Sequence, residues 1–237
     1  MDVKKKMTTI GIIADFDPNS ETHRATDDAL RHSSAYYNIG LKNQWIATDD
    51  ASPQVIKKFD GLLFSTGMYR NTENTIGALK FAREKNIPTL ATCGGFQQMV
   101  IELGRNLLGY VEAAHAEYQP NSPILLVTKL SCSLAGREME IQLRRDSKVF
   151  SLYGKTPVTE RYYCNYGVNP QYVADIEKAG IEIVGSDREG IARLIELPHL
   201  EFFVGTLFVP QASSAPDLPH PIVTGFLHAA HRHSLRP

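Results

Sequence analysis

Short apolar runs alternate with amphipathic stretches over the first hundred residues. Thr8 to Ala14 is rich in Ile and closes on the polar Asp15-Phe16-Asp17-Pro18-Asn19, the pattern of a buried strand running into a loop. Ser20 is placed to cap a helix in which Asp27 and Asp28 precede Arg31 and His32 at helical spacing, with Gly40 beyond its end. Residues 43–47 read as the next strand. Ser52 and Pro53 open a short helix to Phe59, and Gly61 to Phe64 is a third strand. The pattern predicts a helix over Thr72–Glu84, a strand over Ile87–Thr92 and a helix over Phe96–Leu107. Strand and helix in strict alternation imply βαβ crossovers and a parallel sheet covered on both faces.

The second half is less regular. Ile124–Thr128, Arg137–Leu143, Ile181–Val184, Ile191–Glu196 and Phe202–Phe208 have strand character. A helix is expected near Pro170–Ala179, with Asn169 as its cap and Gly180 after its end, and a last one over Val223–His231. No repeat and no linker divides the chain, so residues 1–237 are expected to form a single α/β domain whose β-rich half extends the same sheet.

Composition narrows the class. At 43% hydrophobic and 22% charged residues the chain suits a globular core, and at 237 residues it needs neither disulfides nor a structural metal to fold. A formal charge of −1, with no basic run beyond Lys4-Lys5-Lys6, argues against nucleic acid as partner. No apolar run approaches the ~18 residues of a membrane span, and no export signal opens the chain, so a cytoplasmic location is expected. Cys93, Cys132 and Cys164 are odd in number and widely spaced, which favours free thiols over a disulfide framework or a zinc site. His228, His231 and His233 fall at a helix C-terminus, where the dipole favours cationic side chains, and are not read as metal ligands. No cofactor or metal is expected.

Cys93 stands apart from the other polar residues. It ends a predicted strand and is followed by Gly94, Gly95 and a helix. In a doubly wound sheet ligands gather at the carboxyl ends of the strands, and a tight strand-to-helix turn exposes the side chain at its apex. The helix N-terminus favours a thiolate and offers backbone N–H groups to a developing oxyanion. Cys132 and Cys164 read instead as buried small residues rather than resolving thiols, and Tyr162, Tyr163 and Tyr166 as core or as the wall of a pocket.

The segment from Phe59 to Gln97, FDGLLFSTGMYRNTENTIGALKFAREKNIPTLATCGGFQ, resembles the nucleophile region of class I glutamine amidotransferases, in the form found in the glutaminase domain of CTP synthase. The resemblance extends through IGIIADFDPNSETHRATDDAL, RNLLGYVEAAHAEYQP, the stretch from Tyr166 to Gln211 and PHPIVTGFLHAA, and so covers nearly the whole chain. It implies the flavodoxin-like sandwich of that family: a mostly parallel sheet, helices on both faces and a β-rich extension. It also implies roles. Cys93 matches the nucleophile, Gly94 an oxyanion donor, Gln97 a glutamine contact and Glu117 the carboxylate that holds an α-amino group. Thr66-Gly67-Met68 stands where the family has an oxyanion loop of Gly-Gly-Phe, keeping only the second glycine.

The chain departs from that pattern at Phe208-Val209-Pro210-Gln211, where the family has Phe-His-Pro-Glu. Val209 cannot accept a proton and Gln211 cannot steady an imidazolium by charge. An unassisted thiol is only about 3% ionised at neutral pH. The family's Arg-His-Arg-His-Arg-Tyr run is reduced here to Arg161-Tyr162-Tyr163-Cys164-Asn165-Tyr166, which removes positive charge from the expected carboxylate site. His115, two residues before Glu117, is the candidate to replace the lost base. The resemblance lacks the preceding synthetase domain. The expected functions are therefore a cysteine-dependent hydrolase or transferase on a small amide-, ester- or amino-acid-like substrate, a non-catalytic pseudo-amidotransferase binding a metabolite or partner, or a glutaminase subunit serving a synthetase in trans, with homo-oligomerisation open in each.

Overall fold

Residues 6–236 are described by a computed structural model; Lys4 and Lys5 of the short basic run and Pro237 lie outside them. The first half follows the expected alternation. In chain order it runs β1 (Met7–Ile13), α1 (Glu21–Tyr36), β2 (Gly40–Ile46), α2 (Pro53–Ile56), β3 (Gly61–Phe64), α3 (Thr72–Glu84), β4 (Thr89–Thr92) and α4 (Gly94–Asn106). Then come β5 (Ala113–His115), β6 (Ile124–Lys129), β7 (Glu138–Leu143), α5 (Lys148–Tyr153), β8 (Val158–Arg161), β9 (Tyr166–Val168), α6 (Val173–Lys178), β10 (Glu182–Ser186), β11 (Ala192–Glu196), β12 (Phe203–Thr206) and α7 (Pro221–Ser234).

Caps fall where the side chains allow them. Ser20 accepts from the His23 amide at the head of α1, Asn71 from Asn74 at α3, Ser147 from Phe150 at α5 and His220 from Ile222 at α7. The segment read as one helix near Pro170 is a 3₁₀ turn, capped by Asn169, that runs into α6.

Nine strands form one sheet in the order β2-β1-β3-β4-β12-β11-β10-β7-β8. The pairs from β2 to β12 are parallel and those from β12 to β8 antiparallel. The β-rich half therefore extends the main sheet only in part. β5, β6 and β9 form a separate three-stranded sheet, packed beside α4 and joined to the rest by the segment between β8 and β9. Strands β1, β3 and β4 are almost wholly buried, as sheet-centre strands with helices on both faces must be. β4 lies between β3 and β12, so its carboxyl end opens inside the parallel half, one strand from where the sheet turns antiparallel.

Candidate active site

Cys93 follows the last residue of β4 and caps α4 with φ 50° and ψ −109°, a left-handed conformation held by the structure around it. Its amide donates to the Thr206 carbonyl at 2.8 Å, tying the turn to β12. The strain sits on Cys93 itself rather than on the glycines after it. Gly94 and Gly95 are needed for close packing instead. A Cβ at Gly94 would come within 2.1 Å of the Gly67 carbonyl oxygen, and one at Gly95 within 2.2 Å of the Phe64 carbonyl oxygen. The elbow is thus pressed onto the loop after β3.

That loop is clamped from α1. His23 Nδ1 accepts from the Asp17 amide at 2.9 Å, which leaves Nε2 to donate to the Thr66 carbonyl at 3.0 Å. Thr22 and Thr66 hydroxyls meet at 2.6 Å, and the buried Tyr69 hydroxyl donates to the Ser65 carbonyl at 2.6 Å. Gly67 has φ 102°, a region that only glycine takes freely. Among the described residues, neither the Gly67 nor the Gly94 amide donates to a carbonyl, so both remain available to a ligand.

A cavity of about 430 Å³ opens over Cys93. Its walls come from the head of α1 (Ser20, Glu21, Thr22), the loop after β3 (Thr66, Gly67, Met68), the elbow (Cys93, Gly94, Gln97), Glu117 after β5, and the segment Tyr163 to Tyr166. The expected residues Gly67, Thr66, Met68, Gly94, Gln97 and Glu117 are therefore brought together around the thiol. Glu21, Thr22, Cys164 and Asn165 were missed as site residues, Ser20 was read only as a cap, and Tyr163 and Tyr166 were read as core or pocket wall. Among the described residues, the lining holds two carboxylates, Glu21 and Glu117, and no Lys or Arg. Burial first, and then the nearby Glu21 carboxylate, raise the Tyr163 pKa, with Arg161 opposing them, and keep it a neutral phenol. Tyr162 is core, fully buried against Phe208.

His115 does not stand at the thiol. It lines no part of this cavity, and both ring nitrogens are engaged: Nδ1 accepts from the Glu117 amide at 3.0 Å and Nε2 donates to Gln97 Oε1 at 3.1 Å. Gln97 in turn donates from Nε2 to the Tyr166 carbonyl at 2.9 Å. Packed at a tilt against Tyr118 and Tyr166, the ring is buried, which lowers its pKa to about 4 and keeps it neutral. The spacing that suggested a base instead builds a brace for Gln97 and the turn before Glu117.

The cysteines differ from expectation. Cys164 Sγ lies directly against Cys93 Sγ, with Cα atoms 6.1 Å apart, a separation that permits a disulfide, and Cys132 is exposed rather than buried. A sequence separation of 71 hid the juxtaposition, because β8 runs at the sheet's far edge before the chain returns to the site. Val209 is fully buried in the core, its amide donating to the Arg161 carbonyl at 2.9 Å. Gln211 is also buried; its Nε2 reaches Thr92 Oγ1 at 2.9 Å and Thr26 Oγ1 at 3.3 Å, and its Oε1 has no partner.

The model of the class I glutamine amidotransferase family matches residues 21–229. The chain belongs to that family. Over 95% of its length it is 33% identical to the CTP synthase of Saccharolobus solfataricus, and over 93% it is 30% identical to that of Pyrococcus furiosus. It spans less than half of each of these relatives, 45% and 44% respectively. Among solved structures, the glutaminase domain of a Trypanosoma brucei CTPS with bound acivicin aligns over 95% of this chain and 94% of its own, with a TM-score of 0.86 at 24% identity. A glutamine amidotransferase from Thermotoga maritima aligns over 97% and 99% with a TM-score of 0.59 at 11% identity. At those identities the likeness is one of fold. Class I amidotransferase architecture of the CTP synthase type is what the sheet order and elbow express here.

Proposed function

We propose that this chain is a cysteine-dependent acyl hydrolase or transferase whose nucleophile is Cys93 and whose substrate is a small amine-bearing ester- or amide-like molecule. The observation that carries the reading is the left-handed elbow at Cys93, opening on a cavity beside unspent amides of Gly94 and Gly67. A carbonyl attacked by the thiolate would develop its negative charge toward those amides. Glu21 and Glu117, unopposed by any cation among the lining residues described, favour an ammonium group on the ligand and disfavour a free carboxylate.

The missing base selects the leaving group. By the sequence resemblance Val209 and Gln211 take the places of the family's His and Glu, and both ring nitrogens of His115 are engaged elsewhere. An amine leaving from an amide must be protonated, whereas the alcohol or thiol of an activated ester leaves far more readily. Esters and thioesters should therefore outpace amides, and glutamine, with its carboxylate, should be a poor substrate. The chain works without a cofactor, in a reducing cytoplasm.

Reduced protein mixed with p-nitrophenyl esters of β-alanine, acetic acid and succinic acid tests this directly. The expected result is a nitrophenolate burst equal to the chain concentration, on the order of ten-fold faster for β-alanyl than for succinyl, and absent in Cys93→Ala. No burst, or one that survives Cys93→Ala, overturns the reading. The absence of a base beside Cys93 also favours a second reading, a pocket that binds an amine-bearing metabolite without turning it over; calorimetry showing such binding with no burst would select it. A third reading, glutaminase in trans, is motivated by relatives named CTP synthases and predicts ammonia release from glutamine when a synthetase is added.

A further inference from the structure

Cys93 and Cys164 both line the cavity, and their sulfurs lie in direct contact, with Cα atoms 6.1 Å apart. Their surroundings differ. Cys93 sits at the N-terminus of α4, a helix of 13 residues whose amides favour a thiolate, whereas Cys164 Sγ lies 3.2 Å from the Leu207 carbonyl oxygen, an acceptor that favours a protonated thiol. One sulfur is thus set to attack and the other to resolve. Exposures of 8% for Cys93 and 3% for Cys164 place the pair within reach of a small molecule entering the cavity, but not of a disulfide carried on another protein. The hydroxide or alkoxide expelled from a peroxide can take its proton from solvent, so the step asks for no imidazole, which suits a site whose base and orienter positions, by the sequence resemblance, hold Val209 and Gln211.

We propose that Cys93 and Cys164 form a redox-active dithiol that reduces small hydroperoxides, an activity beyond acyl transfer that shares its nucleophile. The Cys93 thiolate attacks the distal peroxide oxygen, the O–O bond breaks, and the alkoxide or hydroxide takes a proton from solvent, leaving Cys93 as a sulfenic acid. Cys164 then attacks the Cys93 sulfur; the S–S bond forms and hydroxide leaves, gaining the Cys164 proton as water. A small dithiol such as dithiothreitol returns two electrons and two protons and reopens the site. Acyl transfer from Cys93 would run only in the reduced state, so oxidation would also switch it off.

The test is thiol mapping on the full chain. Protein reduced with dithiothreitol and freed of it receives one equivalent of hydrogen peroxide, is quenched with N-ethylmaleimide and is mapped by mass spectrometry. The expected result is a Cys93–Cys164 linked peptide with Cys132 alkylated, two thiols lost per peroxide, full recovery on re-reduction, and oxidation of Cys93 at least ten-fold faster than of Cys132 in the same molecule. In Cys164→Ser, peroxide should consume one thiol and leave Cys93 as a sulfenic acid that dimedone traps; Cys164→Ala serves if the serine variant does not fold. Equal rates at Cys93 and Cys132, or alkylation of all three cysteines after peroxide, overturn the proposal. A nitrophenolate burst without the linked peptide leaves acyl transfer standing and removes the dithiol activity. The linked peptide without a burst does the reverse.

Discussion

Cys93 holds its left-handed angle because Gly94 lies flat against Gly67, with no room for a methyl between them. The obstruction is backbone rather than a flexible side chain, so Gly94→Ala should cost on the order of 3 kcal/mol and lower Tm by about 6–12 °C in a chain of this size. Gly77 is the control. It sits in α3 with nothing within 4 Å of where a Cβ would be, so Gly77→Ala should instead raise stability by about 0.5–1 kcal/mol. Differential scanning calorimetry of the two variants reads both signs.

His115 carries a pH signature. Its folded-state pKa is lowered by burial to about 4, so the unfolded chain takes up a proton first as pH falls, and the stability gained from keeping the ring neutral is complete above ~6.5 and lost progressively down to about 4. That window is worth on the order of 3 kcal/mol. Urea melts of wild type and His115→Gln across it should converge toward low pH, because the variant lacks the penalty; parallel curves would contradict the assignment. At this scale much of the site was legible. Cys93 could be read because a thiol before two glycines at a strand end has few other uses, and the residues transferred with it line one cavity. His115 misled because a histidine two residues from a carboxylate can equally fold back onto its own turn, as its bond from the Glu117 amide shows. His23 gave no signal: its ring serves a loop more than forty residues away.

At the scale of elements, α4 both presents Cys93 and anchors it to the layer behind. Glu102 on α4 is fully buried and takes three guanidinium hydrogen bonds from Arg83 on α3, at 2.7–3.2 Å. Burial raises the Glu102 pKa, and Arg83 opposes that shift. Arg83→Met should strand a buried carboxylate and cost about 3–5 kcal/mol at pH 7.5, with a smaller loss at pH 5, where the carboxyl more readily takes up a proton. Urea melts at the two pH values check both parts. The same chemistry explains which elements were hidden from the sequence. β8 reads Val-Thr-Glu-Arg, and its inward Glu160 is buried by pairing with His220 at 3.1 Å and with the Tyr153 hydroxyl rather than by being apolar. β5 is Ala-Ala-His, too short and too helix-prone to show a period of two, and α5 has only six residues. The long β/α alternation before Asn106 had neither handicap.

For the whole molecule, the parallel half raises Cys93 at the centre of a mixed sheet, while the chain linking β8 to the small sheet carries Cys164 and two tyrosines back over it. Family membership accounts for the first part. The second joins two carboxylates, a second sulfur and no Lys or Arg among the described lining residues around Cys93. The reactivity of Cys93 relative to Cys132, followed by mass spectrometry in the fully reduced protein with cationic 2-bromoethylamine and with anionic iodoacetate, tests that combination most directly. If the cavity is a nucleophile's pocket built for amines, the Cys93-to-Cys132 rate ratio should be on the order of ten-fold higher with the cation than with the anion. A ratio that favours iodoacetate, or a Cys93 that reacts with neither reagent, would contradict it.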